Sequence, residues 1–573
     1  MMDWKALQKA PLWLDENAIY WVQQTLESLS IEKMAGQLFF VELTGGETSA
    51  NLDYLADMGA GGIVYRPDAP VPLRDKLAAA ACSWSIPPLL GGNLESGANG
   101  CVTGGTDMGN QMLLAAGGDP QAGYKLGSVC CGEAGSIGVN CAFAPVADLD
   151  FNFRNPITNV RTCGKNPDTV IAIASGYLKA AKENGFAAAI KHFPGDGMDE
   201  LDQHFTISEN NLDRSAWEAS YGEVYRALIT QGAPIVMAGH ISLPEISRQL
   251  DPGIDPNTPT TLNPAILKGL LRHELGFNGM ILTDSTNMLG FLTYCPRESA
   301  IPRAIAAGCD MILFNKNLPE DVSFLLKGLK SGLLERERLE EAAARILAVK
   351  ASIRLHVKQQ KGTLVPAKSA LRIIGSEIHK SWAKQAAEQG ITLVKDTQQM
   401  LPLTPKRYPR LYLNVLQADD SPQTQLRRKC VEYLTREGFT VTLRDRQQGR
   451  DMAWSMEDNI RGVSFLKNNF DAAVYIAAYA TPSNKLSVRL DWTGMHARGN
   501  DAPWFLNEIP TLFISLGNPY HLFDVPYIKT YINAYAYTET ILDSLIDKLV
   551  GRQEFQGVSV TDPFCGRGNS NLL

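Results

Sequence analysis

Short, unbroken apolar runs punctuate the first 320 or so residues, with longer amphipathic stretches between them. Eight runs stand out: Gln37–Glu42, Gly61–Arg66, Pro88–Asn93, Cys141–Val146, Phe186–His192, Pro234–His240, Gly279–Asp284 and Asp310–Asn315. None alternates apolar with polar residues, so each reads as a strand buried on both faces, as in parallel sheets. Helical periodicity fills several gaps, for example Asp168–Glu183 and Ala216–Thr230. Eight strand–helix units in this length predict a (β/α)8 barrel of the TIM type. A long helical segment, Asp321–Arg354, closes this half. The expected barrel domain is 1–355, followed by a polar linker over 356–370.

A second pattern begins after the linker. Strand candidates are Ile391–Val394, Leu411–Leu416, Thr440–Leu443, Ala472–Ala478, Thr511–Leu516 and Thr530–Ala534. Helical stretches such as Gln423–Glu437 and Thr538–Val550 separate several of them. This predicts a smaller α/β sandwich domain over 371–573. It contains neither GxGxxG nor GxxxxGK[ST], so nucleotide binding has no motif support.

The ends of the eight runs carry polar residues: Glu42, Arg66, Asn93, Asp148, Lys191 with His192, His240, Asp284 and Asn315. In a barrel these ends share one face, where active sites form. The plainer alternative is that strands simply end at polar loops. The densest segment runs from Lys191 through His192-Phe-Pro-Gly-Asp-Gly to Asp202 and His204. Lys191 and His192 are adjacent, so both reach one ligand only if the chain bends at the strand end. Phe193-Pro-Gly is a bend signal, and Gly195 and Gly197 suit a mobile loop. An aspartate two residues before a histidine can fix the imidazole tautomer and raise its basicity. The segment reads equally as a solvated acidic loop. Asp284 reads either as a nucleophile at the barrel mouth or as a helix N-cap. Arg161 reads as a clamp for a substrate or as the partner of a loop carboxylate.

Composition narrows the function classes. At ~100–200 residues per domain, 573 residues suggest about three to five domains; the run pattern reduces this to two. The net charge of −7 argues against a nucleic-acid partner. With 45% hydrophobic and 20% charged residues the chain is globular in type. No apolar run approaches the ~20 residues that span a bilayer. The start, Met1-Met-Asp-Trp-Lys, lacks the apolar core of a signal peptide. The ten cysteines are scattered without a CxxC pair. They predict buried free thiols in a reducing, cytoplasmic setting.

Several segments together resemble glycoside hydrolase family 3, specifically its β-N-acetylglucosaminidase branch. They are Lys191-His-Phe-Pro-Gly-Asp-Gly with Asp202-x-His204, and Leu282-Thr-Asp-Ser-Thr-Asn-Met288. Leu29-Ser-Ile-Glu-Lys-Met-Ala-Gly-Gln-Leu38, Phe143–Asp148, Arg154-Asn-Pro156 with Arg161, and Met237–Ile241 support them. The resemblance covers about residues 20–350 in order, and Thr511–Tyr520 is similar to the family's sandwich domain.

The resemblance implies a retaining exo-glycosidase that removes a terminal β-linked N-acetylhexosamine through a covalent glycosyl-enzyme. Asp284 would be the nucleophile, and His204, polarised by Asp202, the general acid–base. Lys191, His192, Arg161, Asn93 and Met237 would bind the sugar. Most retaining glycosidases use two carboxylates roughly 5–5.5 Å apart; here the second would be replaced by an Asp–His dyad. No metal or organic cofactor is implied. The expected substrate is a small carbohydrate or muropeptide-like glycoside, without membrane or nucleic acid. The second domain is expected to shape the aglycone side or to hold two copies as a homodimer.

Two departures affect sugar specificity. The branch's usual Asp-x-Glu-Gly-Gly-Arg is Asn93-Leu-Glu-Ser-Gly-Ala98, so Asn93 replaces an Asp and the Arg is missing. The usual second His of Lys-His-Phe-Pro-Gly-His-Gly is Asp196. The alternatives are a β-glucosidase-type or phosphorolytic family 3 enzyme, or a non-catalytic glycan-binding relative. A zinc hydrolase using His192, His204, His240 and Asp284 is a further alternative, against which the first strand carries no His-x-His pair.

Overall fold

A computed structural model describes residues 3–43, 49–418, 424–444, 462–479, 484, 486–490, 492 and 502–568. Met1, Gln423 and the side chain of Cys82 lie outside the described residues. The chain packs as two compact units. One comprises Met1–Asp107, Pro120–Thr158 and Lys165–Ser381; the other Met108–Asp119, Asn159–Gly164 and Trp382–Leu573.

The first unit holds a closed barrel of eight parallel strands: β1 (Phe39–Leu43), β2 (Gly62–Tyr65), β3 (Leu89–Gly92), β4 (Cys141–Ala142), β5 (Ala187–Phe193), β6 (Ile235–Ala238), β7 (Met280–Ser285) and β8 (Met311–Leu313). Each expected run overlaps one of these strands, and three strands run one residue past it, to Leu43, Phe193 and Ser285. β3 to β6 and β8 are buried at every position, which is why the sequence shows no alternation there. Large and small residues fit together inside. The Phe40 and Phe143 rings meet edge to face at 5.2 Å. A Cβ on Gly91 would lie 2.6 Å from both rings, so that position has to be small.

The segment expected as one helix over Asp321–Arg354 is two, Leu318–Ser331 and Arg336–Ser352. Gly332 ends the first with φ +77°, a left-handed cap that stops the ladder. The stretch 356–370, expected as a linker, packs on the first unit. Gln359 donates to Trp84 O (2.6 Å), Arg74 donates to Pro366 O (2.8 Å), and His356 stacks on Trp21 at 4.8 Å.

The second unit contains a six-stranded sheet in the order Thr392–Asp396, Thr530–Asn533, Thr511–Ser515, Ala472–Ala477, Arg410–Leu416, Thr440–Leu443. All pairs are parallel except the first, which is antiparallel. Alternate residues feed two cores. Leu413, Val474, Ile476, Leu512, Ile514 and Ile532 face one way, and Tyr475, Phe513 and Tyr531 the other. Both faces are covered, as an α/β sandwich requires. The segments 108–119 and 159–164 enter this unit from the first half of the chain. Met112, Leu113 and Val160 contribute to its core.

Candidate active site

The strand ends of the barrel gather several of the expected residues. The segment after β4 runs beside β5: Val146 bridges Lys191, and Ala147 N–H donates to Lys191 O at 2.6 Å. This sets Asp148 against His192. Asp148 Oδ2 meets His192 Nδ1 at 2.7 Å, and Oδ1 accepts the backbone N–H of His192 (3.0 Å) and of Asp196 (2.9 Å). Burial alone would raise the Asp148 carboxyl; His192 and the two N–H donors hold it below the usual range. With Nδ1 bound, His192 turns Nε2 toward Asp284 Oδ2, 3.9 Å away.

Asp284 stands at the end of β7. Oδ1 accepts the Ser285 N–H at 2.7 Å. The helix-cap alternative fails, because the next helix, Leu289–Leu292, is preceded by Met288. Burial would raise this carboxyl, but His192, His240, the Ser285 N–H and Lys191 together lower it. An ionised oxygen therefore faces the mouth of the barrel.

Lys191 pairs with Glu95 Oε1 at 2.6 Å, and its Nζ lies 3.5 Å from Asn93 Oδ1. The Lys191 side chain is only 4% exposed and that of Glu95 20%, so a buried ammonium meets a partly open carboxylate there. Asn93 itself is exposed and Met237 is buried on β6. Adjacent Lys191 and His192 thus both join the strand-end cluster, as the expected bend requires.

The Asp202–His204 turn follows. Asp202 Oδ1 meets His204 Nδ1 at 2.6 Å and accepts the His204 backbone N–H at 2.9 Å. Asp202 is buried while the His204 ring is 23% exposed. Asp196 and Asp202 are each 2% exposed, so this is no solvated acidic loop. Gly195 and Gly197 serve close approach. Both have positive φ, and a Cβ would collide with the Tyr221 ring at 2.1 Å or with Leu149 O at 2.1 Å. The turn is also tied to the segment after Asp284, because Leu289 N–H donates to His204 O and Gly290 N–H to Gln203 O, both at 3.1 Å.

His240, at the end of β6, lies within electrostatic reach of Asp284, His204 and His192. Its Nε2 meets Ser285 O at 2.9 Å and Nδ1 meets Thr261 Oγ1 at 3.0 Å. Burial lowers its basicity. Both ring nitrogens are spent on its own chain. Among the described residues no cluster of three His, Cys, Asp or Glu side chains is arranged to hold a metal ion. Arg161 lies on the short helix Asn159–Arg161, which belongs to the second unit.

Asp148, Glu95, Asp196 and Gln203 join the cluster beyond the expected catalytic and sugar-binding set, although Asp148 is among the polar strand ends. Asp148 and Glu95 do lie in the quoted motif stretches. Nothing in the spacing marks Gln203, whose partners are Asp196, seven residues back, and His240, 37 residues on. Chemically, the cluster offers an ionised carboxylate at a strand tip, a partly open imidazole held by a buried carboxylate, and a buried ammonium paired with a partly open carboxylate. That set suits acid–base and nucleophilic chemistry on a polar, hydroxyl-rich molecule.

Known proteins are similar to this chain over nearly its full length. A β-N-acetylglucosaminidase/β-glucosidase of Cellulomonas fimi is 39% identical over 574 residues, covering 99% of this chain and 100% of that one. A solved β-glucoside phosphorylase, BglX, is 37% identical, covering 99% of this chain and 100% of that chain, with a TM-score of 0.92. A family 3 β-N-acetylglucosaminidase from Paenibacillus sp. str. FPU-7 shares the fold at 22% identity and TM-score 0.76, covering 94% and 99% of the two chains. Residues 31–349 match the glycosyl hydrolase family 3 N-terminal domain. The chain is a glycosidase-type enzyme that belongs to glycoside hydrolase family 3.

Proposed function

We propose that this enzyme cleaves a terminal β-glycoside by double displacement with retention, the sugar being N-acetylglucosamine or glucose. The observation that carries this reading is the partly open Asp284 at the tip of β7, its carboxyl held below the usual range beside His192, with the Asp202–His204 turn tied to the segment that follows it. Asp284 attacks the anomeric carbon while His204, as imidazolium, protonates the departing oxygen. Asp202 occupies Nδ1, so Nε2 is the nitrogen that transfers the proton. The resulting ester to Asp284 is then opened by water, deprotonated by the now neutral imidazole. Lys191, Glu95 and the Asp148-held His192 grip the sugar hydroxyls by charge-assisted hydrogen bonds. Asn93 grips with less charge than the aspartate it replaces, which fits a broadened sugar choice. Met237, buried on β6, completes the barrel's part of the expected sugar-binding set.

A second acceptor is favoured by the dyad itself. A buried carboxylate capped by an imidazole repels phosphate less than an open carboxylate would, and the 37%-identical BglX is a β-glucoside phosphorylase. Phosphate attack on the same ester would yield a sugar 1-phosphate of retained configuration. A muropeptide-like N-acetylglucosaminide is within the same substrate class. The free thiols fit a cytoplasmic setting: Cys101, Cys130, Cys131, Cys141, Cys163, Cys309 and Cys430 are buried and unpaired. Among the described residues no helix is long and apolar enough to cross a membrane.

The test is a panel of nitrophenyl β-glycosides, with and without phosphate, followed by trapping with the 2-fluoro analogue of the best sugar. The reading expects an adduct on Asp284. Tight sugar binding without turnover on any member would replace it with a glycan-binding role.

A further inference from the structure

Gln203 sits between the two members of the dyad and is 2% exposed. Its amide spans two elements. Oε1 accepts the backbone N–H of His240 at 2.6 Å, and Nε2 donates to Asp196 Oδ2 at 2.6 Å. Asp196 is itself immobilised. Its Oδ1 accepts from Gly197 N–H (2.7 Å) and Asn155 Nδ2 (3.3 Å), its backbone N–H donates to Asp148 (2.9 Å), and its carbonyl accepts from Tyr221 (2.6 Å). A continuous chain of contacts therefore runs from His192 through Asp148, Asp196 and Gln203 to the turn that carries His204.

Resting on the double-displacement reading, we propose that Gln203 is a positioning residue: its amide, held between Asp196 and the His240 N–H, sets where His204 meets the leaving oxygen.

The network has one allowed polarity. A backbone N–H can only donate, so Gln203 Oε1 has to accept from His240. That leaves Nε2 to donate, and Asp196 has to accept. The other oxygen of Asp196 is already turned to two donors, so no flipped arrangement satisfies all partners. An acceptor-only side chain at 196 is thus required by a glutamine at 203. This accounts for Asp196 standing where the resembling motif carries histidine. Leaving one of these buried groups unpaired lets the turn shift, and proton transfer is intolerant of such shifts.

The experiment compares wild type, Gln203→Ala, Asp196→Asn, Gln203→Glu and the double variant Asp196→Asn/Gln203→Glu. Each is assayed on alkyl and 2,4-dinitrophenyl β-glycosides of the best sugar. Asp196→Asn sets two donors face to face, and Gln203→Glu sets two carboxyl groups face to face, so the rates are compared above about pH 7, the value to which burial raises Asp196, where the two repel as carboxylates. In the double variant the new amide at position 196 donates to the new carboxylate at position 203, which still accepts from His240, and every partner is satisfied. Gln203→Ala is expected to lose on the order of 10²-fold in kcat/KM on the alkyl glycoside, the scale of misplaced acid–base catalysis. The dinitrophenyl glycoside leaves without a proton, so its kcat/KM falls less than about 10-fold, and azide restores its kcat by needing no base. The double variant recovers to within about 10-fold of wild type while both singles stay low. Equal losses on both aglycones without azide rescue, full activity in Gln203→Ala, or a double variant no better than the worse single would each overturn the role. The parent reading is checked on wild type by the 2-fluoro adduct. With the adduct formed, these negative results sink the positioning role alone; without it, both fall.

Discussion

Asp284 and Asp310 are aspartates at opposite ends of the same barrel, and they are treated in opposite ways. Asp310 lies just before β8, on the face away from the cluster, and its side chain is 0% exposed. Oδ2 accepts from Arg272 (2.6 Å) and Ile281 N–H (2.8 Å), Oδ1 accepts from Arg338 (2.6 Å), and Arg345 stands at 4.0 Å. Asp284 lies at the exit of β7, is 14% exposed, and accepts one backbone N–H. A carboxylate that holds the fold spends its acceptor capacity on its own chain. One that is to react keeps an oxygen open while neighbouring charges hold it ionised. The largest expected effect follows. Asp284→Ala should cost at least ~10⁴-fold in kcat/KM, with a melting temperature unchanged or raised. A large drop in melting temperature would place Asp284 with the structural carboxylates and break the contrast.

The next effect concerns the proton carrier. His204→Ala and Asp202→Asn should each cost ~10²–10⁴-fold on unactivated glycosides and much less on dinitrophenyl glycosides, read by steady-state rates across leaving groups. His192→Ala should instead penalise both substrate types alike, because in the proposed mechanism His192, held by Asp148, grips the sugar hydroxyls rather than the leaving oxygen. If the two histidines gave the same leaving-group dependence, their assigned roles would merge. On the other face, Asp310→Asn removes the charge that three arginines share. It should cost about 3–5 kcal/mol of stability, measured by thermal or denaturant unfolding, with kcat little changed where the variant stays folded.

The eight barrel strands were legible because burial on both faces leaves unbroken apolar runs, and their polar exits were legible because a barrel's strand ends share a face. The Asp202–His204 pair was legible because its hydrogen bond is local, spanning two residues. What depends on distant partners was not. Gln203 reads as one more polar residue in an acidic stretch, and only the fold brings it to Asp196 and His240. Glu95 reads as part of a departing motif, and only the barrel sets it on Lys191. The break at Gly332 was hidden because helical periodicity continues on both sides of it. The entry of 108–119 and 159–164 into the second unit was hidden because a run pattern divides a chain only linearly.

The comparison extends to two buried lysines, with the smallest expected effect. Lys191, at the cluster, has a carboxylate partner in Glu95 at 2.6 Å. Lys350, fully buried on the helix Arg336–Ser352, meets an amide oxygen, Gln37 Oε1, at 2.7 Å. Burial pushes the Lys350 ammonium down to about 7, from an ordinary value of 10.5. Between those values the unfolded chain binds more protons than the folded one, so stability rises with pH across that window and the contribution is lost as pH falls toward 7. Lys350→Met removes this dependence. Its melting temperature should exceed that of wild type near pH 7 by roughly a few degrees. The gap should shrink as pH rises toward 10.5, where the neutral amine keeps its hydrogen bond to Gln37 without a charging cost. Thermal scans of both proteins from about pH 6.5 to about 10 read this directly. Parallel curves would mean that Lys350 keeps its proton in the folded chain, and the structural face would then tolerate an unpaired charge that the cluster face neutralises with Glu95.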